Sequence, residues 1–446
     1  MRSLIPTDWL RHRAASRPEV LALRDEGGRA LTYAELFERA AAVASRVPGP
    51  APGRICVIEL APGIDHAIAM HAAILAGMPF QTVRPGLPAA ERKAALAGLT
   101  EPLAFDPVWL EGVPTAGVPT GFTSGSPEDP LCRVLTSGTS GTRAAVTQTY
   151  GNHFSSAAAS AFNLGIEPTD SWLCCLPVDH VGGLSILLRS VIYGTTAIIH
   201  PRFEVERVAS ELERGATIIS LVPTQLQRLL AADAVLERPR LILLGGGPVP
   251  DGILDQALAR GANVVQTYGL TEACSQVCTL TAADATRKRG SVGRPLLGTE
   301  VQIGTRDADG GEILVSGPTV APGCAGPDGW LRTGDRGTID GQGFLWVEGR
   351  IDDLIVSGGE NIAPEEVEQA LLSHPAVSEA AVVGRPDPEW GAAVAALVVA
   401  DRGVETDELI EHCRGSLAPH KLPKRIEFVA QLPRTETGKL LRRELR

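Results

Sequence analysis

Lysine is nearly missing from this chain. Of its 41 basic residues, five are lysines: Lys93, Lys288, Lys421, Lys424 and Lys439. Nor is there a basic field, because the net charge is −11 and the pI near 5.4. That argues against nucleic acid as a partner, and it means that an anionic ligand must be met by local cations and backbone N–H groups. Long apolar runs are lacking too. The most apolar stretch, 181–199, is broken by Gly182, Gly183, Arg189, Tyr193 and Gly194, so no membrane span is read. The opening residues, MRSLIPTDWLRHRAASRPE, hold no apolar core, so no signal peptide is read. The eight cysteines form no CxxC pair, and no His or second pair completes a zinc set around Cys274 and Cys278. They are expected to be reduced thiols in a cytoplasmic protein. There is no internal repeat, and a homodimer is left open.

What is present is an ordinary globular composition, 44% hydrophobic and 21% charged over 446 residues, long enough for roughly two to four domains. Residues 7–46 read as Ala- and Arg-rich helices around a turn at 25–29. A buried strand follows at 54–60 and a helix at 65–77. The middle third alternates. Strand patterns at 171–177, 195–200, 216–223, 240–247 and 263–269 are separated by helix patterns at 183–194, 205–215, 224–233 (capped by Thr224) and 251–261 (opened by Asp251). Apolar β-branched runs alternating with capped helices predict an α/β fold with parallel strands covered on both faces. Ligands of such sheets gather at the carboxyl ends of strands. The loops 177–183, 245–250 and 267–276 all follow strands, which points to one cleft. From about 290 the chain turns to short strands separated by Gly and Asp turns. After Arg350 a smaller α+β unit of roughly 95 residues is expected. The domains are therefore read as 1–349 and 350–446, with GRIDD (349–353) as the boundary.

Four strings carry chemistry. LTSGTSGTR (135–143) offers hydroxyl and backbone donors on a chain that can approach phosphate closely, without the Walker spacing. QTYGLTEA (266–273) presents Tyr268, which can stack on a base, beside Thr271 and Glu272, oxygen donors suited to Mg²⁺. WLRTGD (330–335) sets Asp335 in a glycine turn, where a carboxylate suits the two hydroxyls of a ribose. PRTETGKLLR (433–442) keeps a lysine, Lys439, in a chain that otherwise writes cations as arginine. A compact ammonium suits a crowded phosphate better than a planar guanidinium does.

In this order the strings resemble the adenylate-forming superfamily of acyl- and aryl-CoA ligases, over nearly the whole chain. QTYGNH (148–153), WLCCLPVDHVGGLS (172–185), LLGGGPVP (243–250), QTYGLTEACSQVCTL (266–280), SGGENI (357–362) and LPRTETGKLLRRELR (432–446) are most similar to the o-succinylbenzoate–CoA ligase family of menaquinone biosynthesis. The resemblance implies ATP, Mg²⁺ and coenzyme A as co-substrates and ion. It implies that Thr136, Ser137, Gly138, Thr139, Ser140, Gly141 and Thr142 hold the β- and γ-phosphates, that Glu272 binds Mg²⁺ and that Thr271 lies near the α-phosphate. Gly245, Gly246, Gly247, Tyr268 and Gly269 would frame adenine. Asp335 and Arg350 would hold the ribose. Asp352 would be the hinge of a mobile C-terminal domain whose Lys439 is catalytic. His180 matches a gate at the carboxylate-binding cleft. The family loop commonly reads Gly-x-Pro-Lys-Gly. Here Gly141-Thr142-Arg143-Ala144-Ala145 puts Ala144 where the lysine stands, with Arg143 one position early.

o-Succinylbenzoate has a second, unreacting carboxylate that needs a cation or several donors. Arg189, which interrupts an apolar helix, is the candidate, with Ser275 and Gln276 as added donors. The opposing reading of Arg189 is an arginine snorkelling to solvent. Two wider alternatives stand beside this one: a ligase for another aryl or medium-chain acid, and a degenerate member that only binds. A peptide-synthetase module is disfavoured, because no carrier-protein segment follows Arg446.

Overall fold

The computed structural model describes residues 7–111, 125–136, 144–307, 310–400, 403–435 and 440–445. A nine-stranded sheet dominates. Its spatial order is Arg294–Pro295, Ser275–Thr279, Val264–Leu270, Leu241–Leu244, Ile218–Leu221, Ser171–Cys174, Thr196–Ile199, Leu21–Asp25 and Ala30–Thr32. The strands from Val264–Leu270 across to Leu21–Asp25 are parallel, and both edges are antiparallel. Strands Ile218–Leu221 and Leu241–Leu244 are buried at every residue, because helices cover both faces. Each fully buried Leu or Ile there stabilises by about 1.5–3 kcal/mol. A second, five-stranded sheet is parallel except for its last strand, Ala145–Thr149. Strands Glu300–Asp307, Gly310–Ser316, Leu331–Ile339 and Leu345–Arg350 form an antiparallel sheet. Beyond it, Val377–Asp387, Gly391–Ala400 and Arg425–Phe428 make a sheet with a separate core that includes Val367, Leu371, Val382, Val398 and Leu409. Among the described residues no helix is long and apolar enough to cross a membrane.

The alternation of the middle third is present as read. Several local readings need correction. Residues 7–46 are not helices around a turn: Leu21–Asp25 and Ala30–Thr32 pair as a hairpin between helices Trp9–Ser16 and Tyr33–Ala44. The hairpin exists because Leu21–Asp25 docks in parallel on Thr196–Ile199, a partner far along the chain. Thr224 is not a cap. Val222 is the N-cap of Pro223–Ala231, Pro223 sits in the first turn, and the Val222 N–H donates to Gln225 Oε1 at 3.1 Å. Nor is Asp335 in a turn. It lies within strand Leu331–Ile339, which tolerates Gly334 at φ 69° by slipping register against both neighbours. The segment 267–276 is only partly loop, because the strand runs on to Leu270 and the next begins at Ser275.

The eight cysteines are free thiols, all buried except the half-buried Cys324. Burial pushes the Cys56 and Cys174 thiols up to about 12, so these are apolar filling and not nucleophiles.

Candidate active site

Two helices bring polar groups to the carboxyl edge of the large sheet. Helix Tyr150–Leu164 starts with a capping box: Thr149 Oγ1 accepts from Asn152 N, and Asn152 Oδ1 accepts from Thr149 N. Helix Val181–Tyr193 begins after His180, its half-buried N-cap residue, and ends at Gly194 in the left-handed conformation. Beside His180, Asp179 is bridged by Arg84 at 3.2 Å.

Strand Val264–Leu270 then delivers the central turn. Thr271–Ala273 is a single 3-10 turn, followed by Cys274 at φ 51° and Ser275 at φ 91°. Two consecutive non-glycine residues in that region cost on the order of 1–3 kcal/mol each, so the surroundings must hold them. Gly269 has no room for a side chain, since a Cβ would lie 1.8 Å from Ser275 O. The chain therefore folds back on itself tightly just where Thr271 and Glu272 are presented.

Tyr268, Asp335 and Arg350 meet. The Tyr268 hydroxyl donates to Asp335 Oδ2 at 2.6 Å, and Arg350 Nη1 donates to Asp335 Oδ1 at 3.0 Å and to Thr333 O at 2.8 Å. Burial, with the Asp335 charge adding to it, drives the Tyr268 phenol well above its ordinary value, so it stays a donor. Burial alone would weaken the Arg350 charge, but Asp335 outweighs it and holds the guanidinium above its usual range. Each Asp335 oxygen keeps acceptor capacity for a diol. Gly245 and Gly246 follow strand Leu241–Leu244. A Cβ on Gly245 would stand 2.8 Å from Thr267 Cγ2, so this wall lies flat against the strand that carries Tyr268. Gly247 has open space around it.

Arg189 is 3% exposed. It does not snorkel, and that reading falls: the helix face that carries it turns into the protein. Its Nη1 donates to Gln276 Oε1 at 2.7 Å and its Nη2 to Ser156 Oγ at 2.9 Å, while the guanidinium lies 5.9 Å from the Trp172 ring centroid. It forms no ion pair with a described residue. Burial lowers its pKa from the usual arginine range, the direction expected for a cation without an anion. Ser275 lies next to this network through Cys274, whose carbonyl accepts from Ser156.

The Glu272 carboxylate takes no hydrogen bond or ion pair from another described residue, while its backbone carbonyl accepts from Ala321 N at 2.8 Å. A hard oxygen donor on a fixed backbone fits Mg²⁺. No group of three or more His, Cys, Asp or Glu suited to a metal occurs among the described residues. The Thr136 N–H donates to Ala144 O at 2.8 Å. Ser137, Gly138, Thr139, Ser140, Gly141, Thr142, Arg143 and Lys439 lie outside the described residues. Asp352 is exposed in the 3-10 turn Ile351–Asp353.

The sequence reading missed the roles of Gln148, His153 and Ser156. Gln148 and His153 are fully buried polar residues that contact the central turn or its support. Gln148 and His153 fall in the string QTYGNH, but Thr149 and Asn152 there already read as a helix start, so nothing in the pattern singles the other two out.

Residues 10–100 and 99–324 match the model of the AMP-binding enzyme family, and 366–439 match the AMP-binding enzyme C-terminal domain. The chain belongs to the AMP-binding enzyme family. It is 40% identical over 473 residues to a 2-succinylbenzoate–CoA ligase of Bacillus licheniformis, covering 98% of this chain and 99% of that one. Among solved structures it is similar to o-succinylbenzoate CoA synthetase (MenE) from Bacillus subtilis in complex with the acyl-adenylate intermediate OSB-AMP. That match has 36% identity and a TM-score of 0.88, over 99% of this chain and 98% of that one. The same Bacillus subtilis enzyme with ATP and magnesium ion matches at 37% identity and TM-score 0.87, over 99% of both chains. The α/β architecture expected from the alternation of strands and helices is thus that of an AMP-binding enzyme.

Proposed function

We propose that this AMP-binding enzyme adenylates 2-succinylbenzoate with ATP and Mg²⁺ and passes the acyl group to coenzyme A, as a cytoplasmic ligase of menaquinone biosynthesis. The observation that carries the choice of acid is Arg189. A buried guanidinium with two neutral acceptors and no carboxylate partner among the described residues is suited to an acid that brings a second carboxylate with it. The full-length likeness to a synthetase bound to OSB-AMP supports the same choice.

A carboxylate is a poor electrophile, and adenylation gives it a good leaving group. The acid's reacting oxygen would attack the α-phosphorus in line, forming the P–O bond as the bond to pyrophosphate breaks. Positioning and charge stabilisation supply most of the catalysis. Asp335, oriented by Tyr268 and Arg350, would accept from the ribose hydroxyls. Thr271 would donate toward the α-phosphate, and Glu272 would hold Mg²⁺, which supplies charge neutralisation between phosphate oxygens. Thr136 and the loop after it would take the outer phosphates, and His180 would border the acid. Lys439 would neutralise the α-phosphate as the acid attacks. The unit beyond Arg350 would then turn about Asp352, and the CoA thiolate would displace AMP from the acyl carbon.

The test is ATP–pyrophosphate exchange with a panel of aryl and medium-chain acids. 2-Succinylbenzoate should give the highest kcat/KM, and Lys439→Ala should lower exchange by about 10²–10³-fold. A different acid on top would overturn the substrate. Background exchange with every acid would favour the binding-only reading.

A further inference from the structure

The string QTYGNH has no place in the chemistry above, yet it lies directly behind the turn that carries Thr271 and Glu272. Gln148 is fully buried at the end of strand Ala145–Thr149, and its Nε2 donates to Thr271 O at 2.7 Å. A carbonyl oxygen only accepts, so the Gln148 amide nitrogen must face it and Oε1 must face the other way. There Oε1 accepts from His153 Nε2 at 2.8 Å, with the Cys132 thiol at 3.4 Å. His153 is 3% exposed, and burial, aided by the Arg189 charge, lowers its pKa to about 3. It is neutral, and its proton must sit on Nε2. The orientation of Gln148 is therefore fixed from behind.

The other end of the turn is held from helix Tyr150–Leu164, which also carries His153. Ser156 Oγ donates to Cys274 O at 2.7 Å, at the first of the two left-handed residues, while it accepts from Arg189. Between these anchors the Glu272 carbonyl accepts from Ala321 N. The segment before Ala321 is itself pinned by Asn152 Nδ2, which donates to Pro318 O at 2.8 Å and Val320 O at 3.1 Å. Carbonyls 271, 272 and 274 are thus all engaged, and the Thr271 hydroxyl and the Glu272 carboxylate are what the turn keeps for a ligand.

We propose that Gln148 and Ser156 are positioning residues for adenylation: they clamp the two ends of the Thr271–Ala273 turn, so that Glu272 is aimed before nucleotide and metal arrive. The inference rests on the reading of Glu272 as the Mg²⁺ residue. The clamp also joins the two halves of the site, because Ser156 lies between Arg189 and the strained backbone.

The experiment compares wild type, Gln148→Met and Ser156→Ala in three measurements. These are Mg²⁺-dependent ATP–pyrophosphate exchange with 2-succinylbenzoate, transfer to CoA from supplied acyl-adenylate, and calorimetric binding of MgATP without acid. Each variant should raise the MgATP concentration for half-maximal exchange about tenfold, as losses behind a metal ligand do, and weaken MgATP binding in parallel. At saturating acyl-adenylate, where a weakened Arg189 contact in Ser156→Ala no longer limits binding, the maximal rate of transfer to CoA should stay within about twofold, which general structural damage would not allow. Equal loss in both half-reactions, or unchanged MgATP dependence, would overturn the clamp. Should Gln148→Met be insoluble, Ser156→Ala, which removes one oxygen, decides. A wild type that binds MgATP but exchanges with no acid would sink the substrate reading alone, and the calorimetry would still judge the clamp.

Discussion

The Tyr268 hydroxyl donates to the Asp335 carboxylate across 2.6 Å, joining the end of the large parallel sheet to the antiparallel sheet beside it. Arg350 takes the other carboxylate oxygen. Residues that three separate strings supply form one charged, hydrogen-bonded unit, and a nucleotide sugar would meet an acceptor that is already oriented.

Removing only that hydroxyl should weaken ATP without abolishing catalysis. In Tyr268→Phe the Arg350 bridge remains, so the loss is that of about one hydrogen bond to a charged group, roughly 1.5–3 kcal/mol at most. The KM for ATP should rise about tenfold with kcat within about threefold, read from steady-state pyrophosphate release.

Arg189→Ala should separate the acid from the nucleotide. Loss of a buried partner for a carboxylate costs about 2–5 kcal/mol. The KM for 2-succinylbenzoate should therefore rise about 30-fold or more, and that for ATP less than about tenfold, the latter through the freed Ser156. Equal effects on the two would remove Arg189 from the acid pocket.

Gly269→Ala tests the tight fold-back. The added methyl would have to share space with Ser275 O, a backbone atom that cannot swing aside. Destabilisation of about 3 kcal/mol or more is expected, seen as a lowered Tm and loss of exchange.

A buried ion cluster near the C-terminus gives a pH dependence. Arg442 donates to Glu365 at 2.7 Å, to the Glu368 carboxylate at 2.9 Å and to Val382 O at 3.0 Å, and it lies 3.5 Å from Asp353. Burial nevertheless outweighs Arg442 and lifts Glu365 to about 7. The native state then binds more protons than the unfolded state between the ordinary Glu value and about 7, so stability falls as pH rises through that window. The full effect is at most on the order of 3 kcal/mol. Glu365→Gln should narrow the difference in Tm between about pH 5 and about pH 8, and an unchanged difference would count against the raised value.

The sheet was readable in the sequence because its central strands are buried on both faces. Ile218–Leu221 and Leu241–Leu244 need apolar residues throughout, and their helices carry their own start and stop signals. The hairpin at Leu21–Asp25 was not readable, because its partner, Thr196–Ile199, is set by tertiary contact. Asp335 was not legible as a strand residue, since a glycine inside a strand looks like a turn. Arg189 was recognised as out of place on an apolar helix, but pattern alone does not tell a buried cation from a snorkelling one. Gln148 and Ser156 act through backbone carbonyls, which carry no signature in the sequence.

The most direct test of the account is a mass spectrum of the product formed from 2-succinylbenzoate, ATP, Mg²⁺ and coenzyme A. The predicted result is a 2-succinylbenzoyl-CoA thioester with AMP and pyrophosphate, and acyl-adenylate with pyrophosphate when coenzyme A is left out. Absence of the thioester, with the purified enzyme folded and binding MgATP, would contradict it.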